Sequence, residues 1–148
     1  MSVKKKRIDT LAALVGGSVV ATDNSYAMIL GELNEVYRVH SVEPPRRRYL
    51  LQVLHGTRAL DSTLKAFVAH HGCPTSGNAL GRYLGALVNH NLSHLGNLPE
   101  RSRQRFLRSI VDKRNRYMHE AGTMPATEQE ISIIISEMES CLSIVFSL

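Results

Sequence analysis

Apolar residues recur every three or four positions along most of the chain, and no alternation of apolar and polar residues persists over a strand's length. The first pattern is typical of helices that bury one face, whereas the second would indicate half-buried strands. The pattern therefore predicts an all-α protein, an up-down bundle of four to five helices.

Five segments carry the helical pattern. They cover approximately residues 23–40, 46–70, 78–92, 100–121 and 127–148. Pro44 and Pro45 end the first segment and can open the second, because proline suits the first position of a helix. Gly72 stops the second segment. Thr127, followed three residues later by Glu130, predicts a capping box at the start of the last helix.

The first 22 residues are predicted to be a basic N-terminal segment, either flexible or a short helix, ahead of a single helical domain at 23–148. Lys4–Arg7 precede an apolar stretch, as in a secretory signal peptide. Asp9 and the pair Gly16-Gly17 dilute that stretch. The alternative is a basic cytosolic tail.

Composition and charge limit the domain count, the class of partner and the compartment that suit this chain. A chain of 148 residues with 43% hydrophobic residues suits one domain with a real core. The formal net charge of +5 predicts a polyanionic partner, although a merely basic surface is the alternative. Cys73 and Cys141 lack disulfide-framework spacing, which favours a reducing, cytoplasmic compartment. Glu137 and Glu139 interrupt the longest apolar run, so no membrane partner is expected.

One short segment combines residues for phosphate chemistry. Arg114 is followed by Asn115 and, after four intervening residues, by His119, close to the predicted end of the fourth helix. Arginine binds phosphate oxygens with a planar fork, and histidine transfers protons near neutral pH. The alternative is the solvated last turn of a basic helix. Arg48 and His55 form a second arginine–histidine pair, with six intervening residues, but Tyr49 follows Arg48 in place of a polar residue.

With Asn115 directly after Arg114, this segment resembles the HEPN superfamily (higher eukaryote and prokaryote nucleotide-binding domains). Its ribonuclease members carry Arg, four to six residues and then His, usually with a polar residue straight after the Arg. The resemblance covers about residues 45–148. It implies a HEPN-like helical fold, a homodimer with two motifs facing across a cleft, and metal-independent RNA cleavage without a cofactor.

The resemblance also assigns roles. Arg114 would stabilise the charged transition state, His119 would act as general base or acid, and Asn115 would orient His119 or a phosphate. The neighbouring candidates for RNA contact are Arg108, Arg116 and Tyr117. The implied setting is a toxin–antitoxin or phage-defence system with an antitoxin or defence partner protein. Some member toxins carry a modified Tyr two residues after the His, and this chain has Ala121 there.

Helix arithmetic sets a condition on this mechanism. Residues five apart lie about 140° from each other around an ideal helix, so Arg114 and His119 do not share a face. They converge only if the helix frays, if Arg114 bends around it, or if a second chain contributes. Asp61 is a candidate ion-pair partner for Arg114. The alternative is that Asp61 pairs with Lys65, four residues later on the same helix.

Three other functions remain open. The first is a non-catalytic HEPN-like interaction or nucleotide-binding module. The second is a DNA-binding helical protein, although no compact helix-turn-helix pattern is present. The third is a zinc site near His90 and His94, but it would lack a tight cysteine pair and an acidic ligand, so metal-free histidines are the preferred interpretation.

Overall fold

The computed structural model describes residues 4–148. Within that range the chain forms six helical rods and no strand, which confirms the predicted all-α bundle. One rod consists of two α-helices joined by a π-helical segment, so the rods contain seven α-helices. The helices are α1 (Lys5–Gly16), α2 (Tyr26–Arg38), α3 (Pro45–His71), α4 (Leu80–Asn89), α5 (Glu100–Phe106), α6 (Asp112–His119) and α7 (Glu128–Phe146). Short 3₁₀ turns span Val19–Thr22 and Val39–Ser41, and a π-helical segment, Leu107–Val111, joins α5 to α6.

The long helix α3 is the centre of the bundle and contacts α2, α4 and α7. Pro45 occupies its first turn, and Gly72 ends it in the left-handed conformation with φ 72°. Glycine accepts this conformation without steric cost, so both predicted boundaries have a local cause. A Cβ on Gly56 would lie 3.3 Å from Met138 Sδ, and this glycine therefore lets α7 cross close to α3.

The apolar side chains of α3 are buried mainly in its second half, and Val53 is the buried one among the leucines and valines of its first half. Leu50 and Leu54 are half-buried, whereas Gln52 and Thr57 on the same helix are buried. Burial of these polar groups is stabilised by hydrogen bonds. The Gln52 amide donates to the Val36 carbonyl at 3.1 Å, and the Thr57 hydroxyl donates within its own helix. The first half of α3 thus meets α2 through polar as well as apolar side chains.

The N-terminal segment contributes α1 to the bundle. Ile8, Leu11 and Val15 are buried and pack against the shared core, and α1 contacts both α2 and α7. Arg7 adds an exposed ion pair with Glu139 at 3.9 Å. Ile8, Leu11 and Val15 recur at intervals of three and four residues, as in an amphipathic helix. This helix, α1, brings the number of rods to six.

The last helix, α7, begins at the predicted capping box. The Glu130 amide donates to Thr127 Oγ1 at 3.3 Å, and Glu130 Oε2 accepts from the Ala126 amide at 2.7 Å. The predicted apolar stripe of α7 is buried. Its members are Ile131, Ile134, Ile135, Met138, Leu142 and Val145. Burial of each such side chain stabilises the fold by roughly 1.5–3 kcal/mol.

The rod from Glu100 to His119 differs from the single helix predicted to Ala121. Its middle is the π-helical segment, which adds about one residue to a turn and so rotates the following residues by about 100°. The helix ends at His119, because Glu120 has extended angles (φ −100°, ψ 112°). Gly122 follows with φ 80°, and the chain turns there towards α7.

Candidate active site

The α-carbon of Arg114 lies on the inward side of α6. It is half-buried, and helix geometry aligns it with buried Val111 and with Met118, which packs against the core. On the facing helix α3, burial raises the pKa of the Asp61 carboxyl, while the positive charges of Arg114 and Lys65 act in the opposite direction. Asp61 therefore lies within electrostatic reach of both partners considered from the sequence.

The guanidinium of Arg114 does not stay on that inward side. Arg114 Nη1 donates a hydrogen bond to Asn115 Oδ1 at 3.3 Å. Asn115 is exposed and lies one turn before His119, about 40° from it around the helix. Asn115 is thus in contact with Arg114, and the role expected from the sequence, to hold His119 or a phosphate, stays a prediction.

His119 occupies the last helical position of α6 and is exposed. Within residues 4–148 its ring has no hydrogen bond or ion pair, so both nitrogens are open to solvent or to a ligand. Arg116, on the same side, is exposed and lies 3.7 Å from Glu120 in a surface ion pair. An exposed pair of this kind contributes little stability and leaves the arginine available.

Arg114, Asn115 and His119 form what we call the α6 row. The helix is regular between residues 112 and 119, so fraying does not bring Arg114 and His119 together. The α-carbons of the two residues lie on sides of the helix about 140° apart. Only the bend of the Arg114 side chain towards Asn115 reduces that separation. The row therefore presents one guanidinium, one amide and one imidazole along about one helical turn.

The three neighbouring candidates occupy different environments. Tyr117 is half-buried and packs against the core, and burial raises the pKa of its hydroxyl, with a further contribution from Glu130. Tyr117 therefore anchors α6 to the core. Arg108, on the π-helical segment, is exposed, as is Arg116. These two arginines can reach a ligand, whereas Tyr117 offers only part of its ring.

The arginines of α5 differ in their contacts. Arg105 pairs with Glu137 at 2.7 Å, and Arg103 pairs with Glu100 at 2.7 Å. The π-helical segment then rotates α6 relative to α5. Arg101 is exposed on α5 and belongs to neither ion pair.

The competing pair, Arg48 and His55, is occupied by internal contacts. His55 Nδ1 lies 2.7 Å from Glu32 Oε2, and Arg58 binds the other oxygen of that carboxylate at 3.0 Å. Arg48 has a side chain only 13% exposed and lies 3.6 Å from Glu43. Contacts of this kind hold α2, α3 and their connection together, so this pair has a structural role.

The histidines considered for zinc are also accounted for by packing. His90 and His94 follow the end of α4 and so do not share a helical face. His90 is buried, and its two nitrogens contact the Gly96 carbonyl and the Leu92 amide. His94 stacks on His71. Across residues 4–148 the side chains form no group of three or more metal-ligating residues.

No family model, curated protein or solved structure matches this chain. Among the described residues, no helix is long and apolar enough to cross a membrane.

Proposed function

We propose that this chain is a metal-independent endoribonuclease of HEPN type, with the α6 row as its active site. The observation that supports the proposal is the hydrogen bond from Arg114 to Asn115, which directs the guanidinium towards the face that carries the exposed His119. A guanidinium and an unpartnered imidazole on neighbouring turns suit a phosphodiester, because one binds its oxygens and the other transfers a proton.

In the proposed reaction the RNA 2′-oxygen attacks the adjacent phosphorus, and the bond to the 5′-oxygen breaks. A neutral His119 accepts the proton of the 2′-hydroxyl, and a protonated His119 donates a proton to the leaving 5′-oxygen. Arg114 stabilises the negative charge on the phosphoryl oxygens. The products are a 2′,3′-cyclic phosphate and a 5′-hydroxyl. Each proton transfer of this kind contributes ~10²–10⁴-fold to the rate.

The reaction is most simply completed by a second copy of the chain. One α6 row carries one histidine, whereas the reaction uses a base and an acid on opposite sides of the phosphorus. A two-fold dimer that brings two α6 rows together supplies both, and it also removes the need for Arg114 and His119 of one chain to meet. The biological setting, by resemblance, is a cytoplasmic toxin–antitoxin or phage-defence system with a partner protein.

The proposal is tested by incubating purified protein with total RNA in EDTA and analysing the new RNA ends. We expect cleavage that leaves 2′,3′-cyclic phosphates, and no cleavage of DNA of the same sequence, because DNA lacks the attacking hydroxyl. Light scattering at tens of micromolar should give a dimer. Loss of all cleavage in EDTA would contradict the metal-independent mechanism, and a monomer would contradict the two-copy site.

A non-catalytic HEPN-like interaction or nucleotide-binding module is the second candidate. It is favoured by two properties of Arg114 that suit a structural arginine: the residue is half-buried, and its charge acts on the carboxyl of Asp61. If the chain is such a module, RNA or a partner protein binds α6, and the bound molecule remains intact. RNA that stays uncut after prolonged incubation with verified dimer would select it.

A further inference from the structure

A second basic site lies away from the α6 row, where the connection between α3 and α4 meets α5. It is an open cavity of about 260 Å³. Its lining combines two arginines, two neutral polar residues and several small ones, namely Arg82, Arg103, Ser76, Asn89, Pro74, Gly81, Gly85 and Ala86. We call it the Arg82–Arg103 cavity.

The two arginines approach the cavity with donors to spare. Arg103 Nη1 is held by Glu100 at 2.7 Å, and Arg103 Nε is buried without a hydrogen-bond partner. Arg82 Nη1 has one long contact, 3.5 Å to the Ser76 hydroxyl. A guanidinium has five N–H donors, and a buried donor without an acceptor costs free energy. With Glu100 as the carboxylate paired at this site, the two arginines leave an excess of positive charge.

Glycines keep the cavity open. A Cβ on Gly85 would lie 3.9 Å from Arg103 Nε, so the guanidinium rests against a floor that carries no side chain. Gly81, one turn before Gly85 on α4, also lines the cavity without a side chain. Longer side chains at these positions would fill the space between the arginines and the backbone. An anion can therefore approach the backbone of α4 at a position where two guanidinium groups flank it.

The cavity continues into a second one of about 360 Å³, and Pro74, Ala86 and Asn89 line both. The remaining lining of the second cavity is His90, Asn91 and Leu92. His90 is fixed by its two backbone contacts, so it gives this cavity a rigid wall. A ligand that fills both spaces has a charged end and a larger, less polar body.

We propose that the Arg82–Arg103 cavity binds the phosphate group of a phosphate ester, and that the adjoining cavity receives part of the organic group that the phosphate carries. Arginine forks match phosphate oxygens, and charge-assisted hydrogen bonds of this type are the stronger ones. This site is separate from the α6 row and performs no chemistry. The phosphate belongs either to a small ester or to the backbone of a nucleic acid, and both present the same oxygens.

Calorimetric titration of the full chain tests the proposal with three probes: inorganic phosphate, adenosine 5′-monophosphate and a single-stranded deoxyoligonucleotide. None of them can be cleaved by 2′-hydroxyl attack, so the result is independent of the proposed ribonuclease activity. We expect the nucleotide to bind more tightly than inorganic phosphate, because it also occupies the second cavity. A higher affinity per site for the mononucleotide indicates a small ester, and a higher affinity for the oligonucleotide indicates a nucleic-acid backbone.

Charge-matched variants locate the binding. Arg82→Gln and Arg103→Gln should each weaken the tightest probe by roughly 10–100-fold, the loss of one charged hydrogen-bonding group. Arg101→Gln removes the same charge from the exposed surface of α5, outside the cavity, and should change affinity less than threefold. Equal losses in Arg101→Gln and Arg103→Gln would overturn the site, because they would indicate a general charge effect.

A neutral variant separates shape from charge. Gly85→Leu fills the floor of the cavity without changing any charge, and it should weaken the tightest probe at least tenfold. Gly31→Leu is the matched control, since Gly31 lies on α2 with open space around its Cβ position. Both variants should melt cooperatively near the parental temperature. Unchanged affinity in a folded Gly85→Leu protein, or no heat from any probe at millimolar concentration, would overturn the proposal.

Discussion

His90 and His119 show two uses of the same side chain. His90 is 6% exposed, accepts the Leu92 amide at Nδ1 and contacts the Gly96 carbonyl through Nε2. Because Nδ1 accepts, Nε2 must carry the proton, and the ring is held as one neutral tautomer. His119 is exposed at the end of α6, and no residue in the described range 4–148 bonds to either of its ring nitrogens.

The difference separates a histidine whose ring is used by contacts within the fold from one whose ring is left open. A ring whose two nitrogens both contact backbone groups has no nitrogen left for a ligand. A ring at an exposed helix end, with neither nitrogen bonded to the protein, is open to a ligand. The positions of the two histidines in the sequence did not separate them, because both lie near predicted helix ends.

The largest expected effect concerns the arginine that accompanies His119. Arg114→Ala should lower RNA cleavage by ~10²–10³-fold, the loss expected when one group that stabilises transition-state charge is removed. The melting temperature should change little, since the guanidinium reaches an exposed amide. Arg48→Ala is the control, and its cleavage rate per folded molecule should equal the parental rate. A dead Arg48 variant beside an active Arg114 variant would move the site to α3.

A smaller loss is expected at Asn115. Its amide oxygen holds the Arg114 guanidinium, so Asn115→Ala should degrade orientation while both reacting groups remain. We expect a rate lower by one to two orders of magnitude, or ~1.4–2.8 kcal/mol of transition-state stabilisation. Single-turnover kinetics measure it. His55→Ala, at the competing pair, should leave the rate unchanged, and the reverse pattern would show that the wrong pair was chosen.

His90 should show the opposite behaviour, with an effect on stability and none on the chemical step. His90→Ala leaves the Leu92 amide and the Gly96 carbonyl without their partner, which costs about 1–3 kcal/mol for a buried group. The melting temperature should fall by roughly 2–4 °C for each kcal/mol of lost unfolding free energy. His119→Ala should melt at the parental temperature. If the two variants destabilise the protein equally, the contrast between the two histidines is wrong.

The smallest expected effect is at Asp61. Burial raises the pKa of its carboxyl, so the folded state binds its proton more tightly than the unfolded state does. Stability from this group is therefore present at low pH and lost as the pH rises through the raised pKa. Asp61→Asn should increase the melting temperature slightly at neutral pH and have no effect well below pH 4. Melting curves at both pH values test it, and a loss of stability at neutral pH would contradict it.

Much of the fold could be predicted from the sequence, because its signals are local. Pro45, Gly72 and the Thr127–Glu130 box set helix boundaries through residues close in sequence, and the α7 stripe follows from periodicity. The half-buried Leu50 could not be predicted, since burial at that end of α3 depends on how α2 packs there. The π-helical segment has no local composition signal and depends on packing of the whole rod.

The residues of the candidate site were chosen from the sequence, whereas their contacts could not be predicted from it. The spacing of Arg114, Asn115 and His119 identified the segment, and the hydrogen bond from Arg114 to Asn115 required coordinates. The Arg82–Arg103 cavity was not found from the sequence, because its two arginines are 21 positions apart on different helices. Gly81 and Gly85, one turn apart on α4, were the available signal, since they mark a helix face without side chains.

The most direct test of the account is the rate at which the protein and its His119→Ala variant cleave one end-labelled RNA in EDTA. We predict that the parental protein cuts and that the variant is at least ~100-fold slower, while both melt at the same temperature and remain dimeric. Equal rates for the two proteins, or no cleavage by either, would contradict the assignment of chemistry to the α6 row.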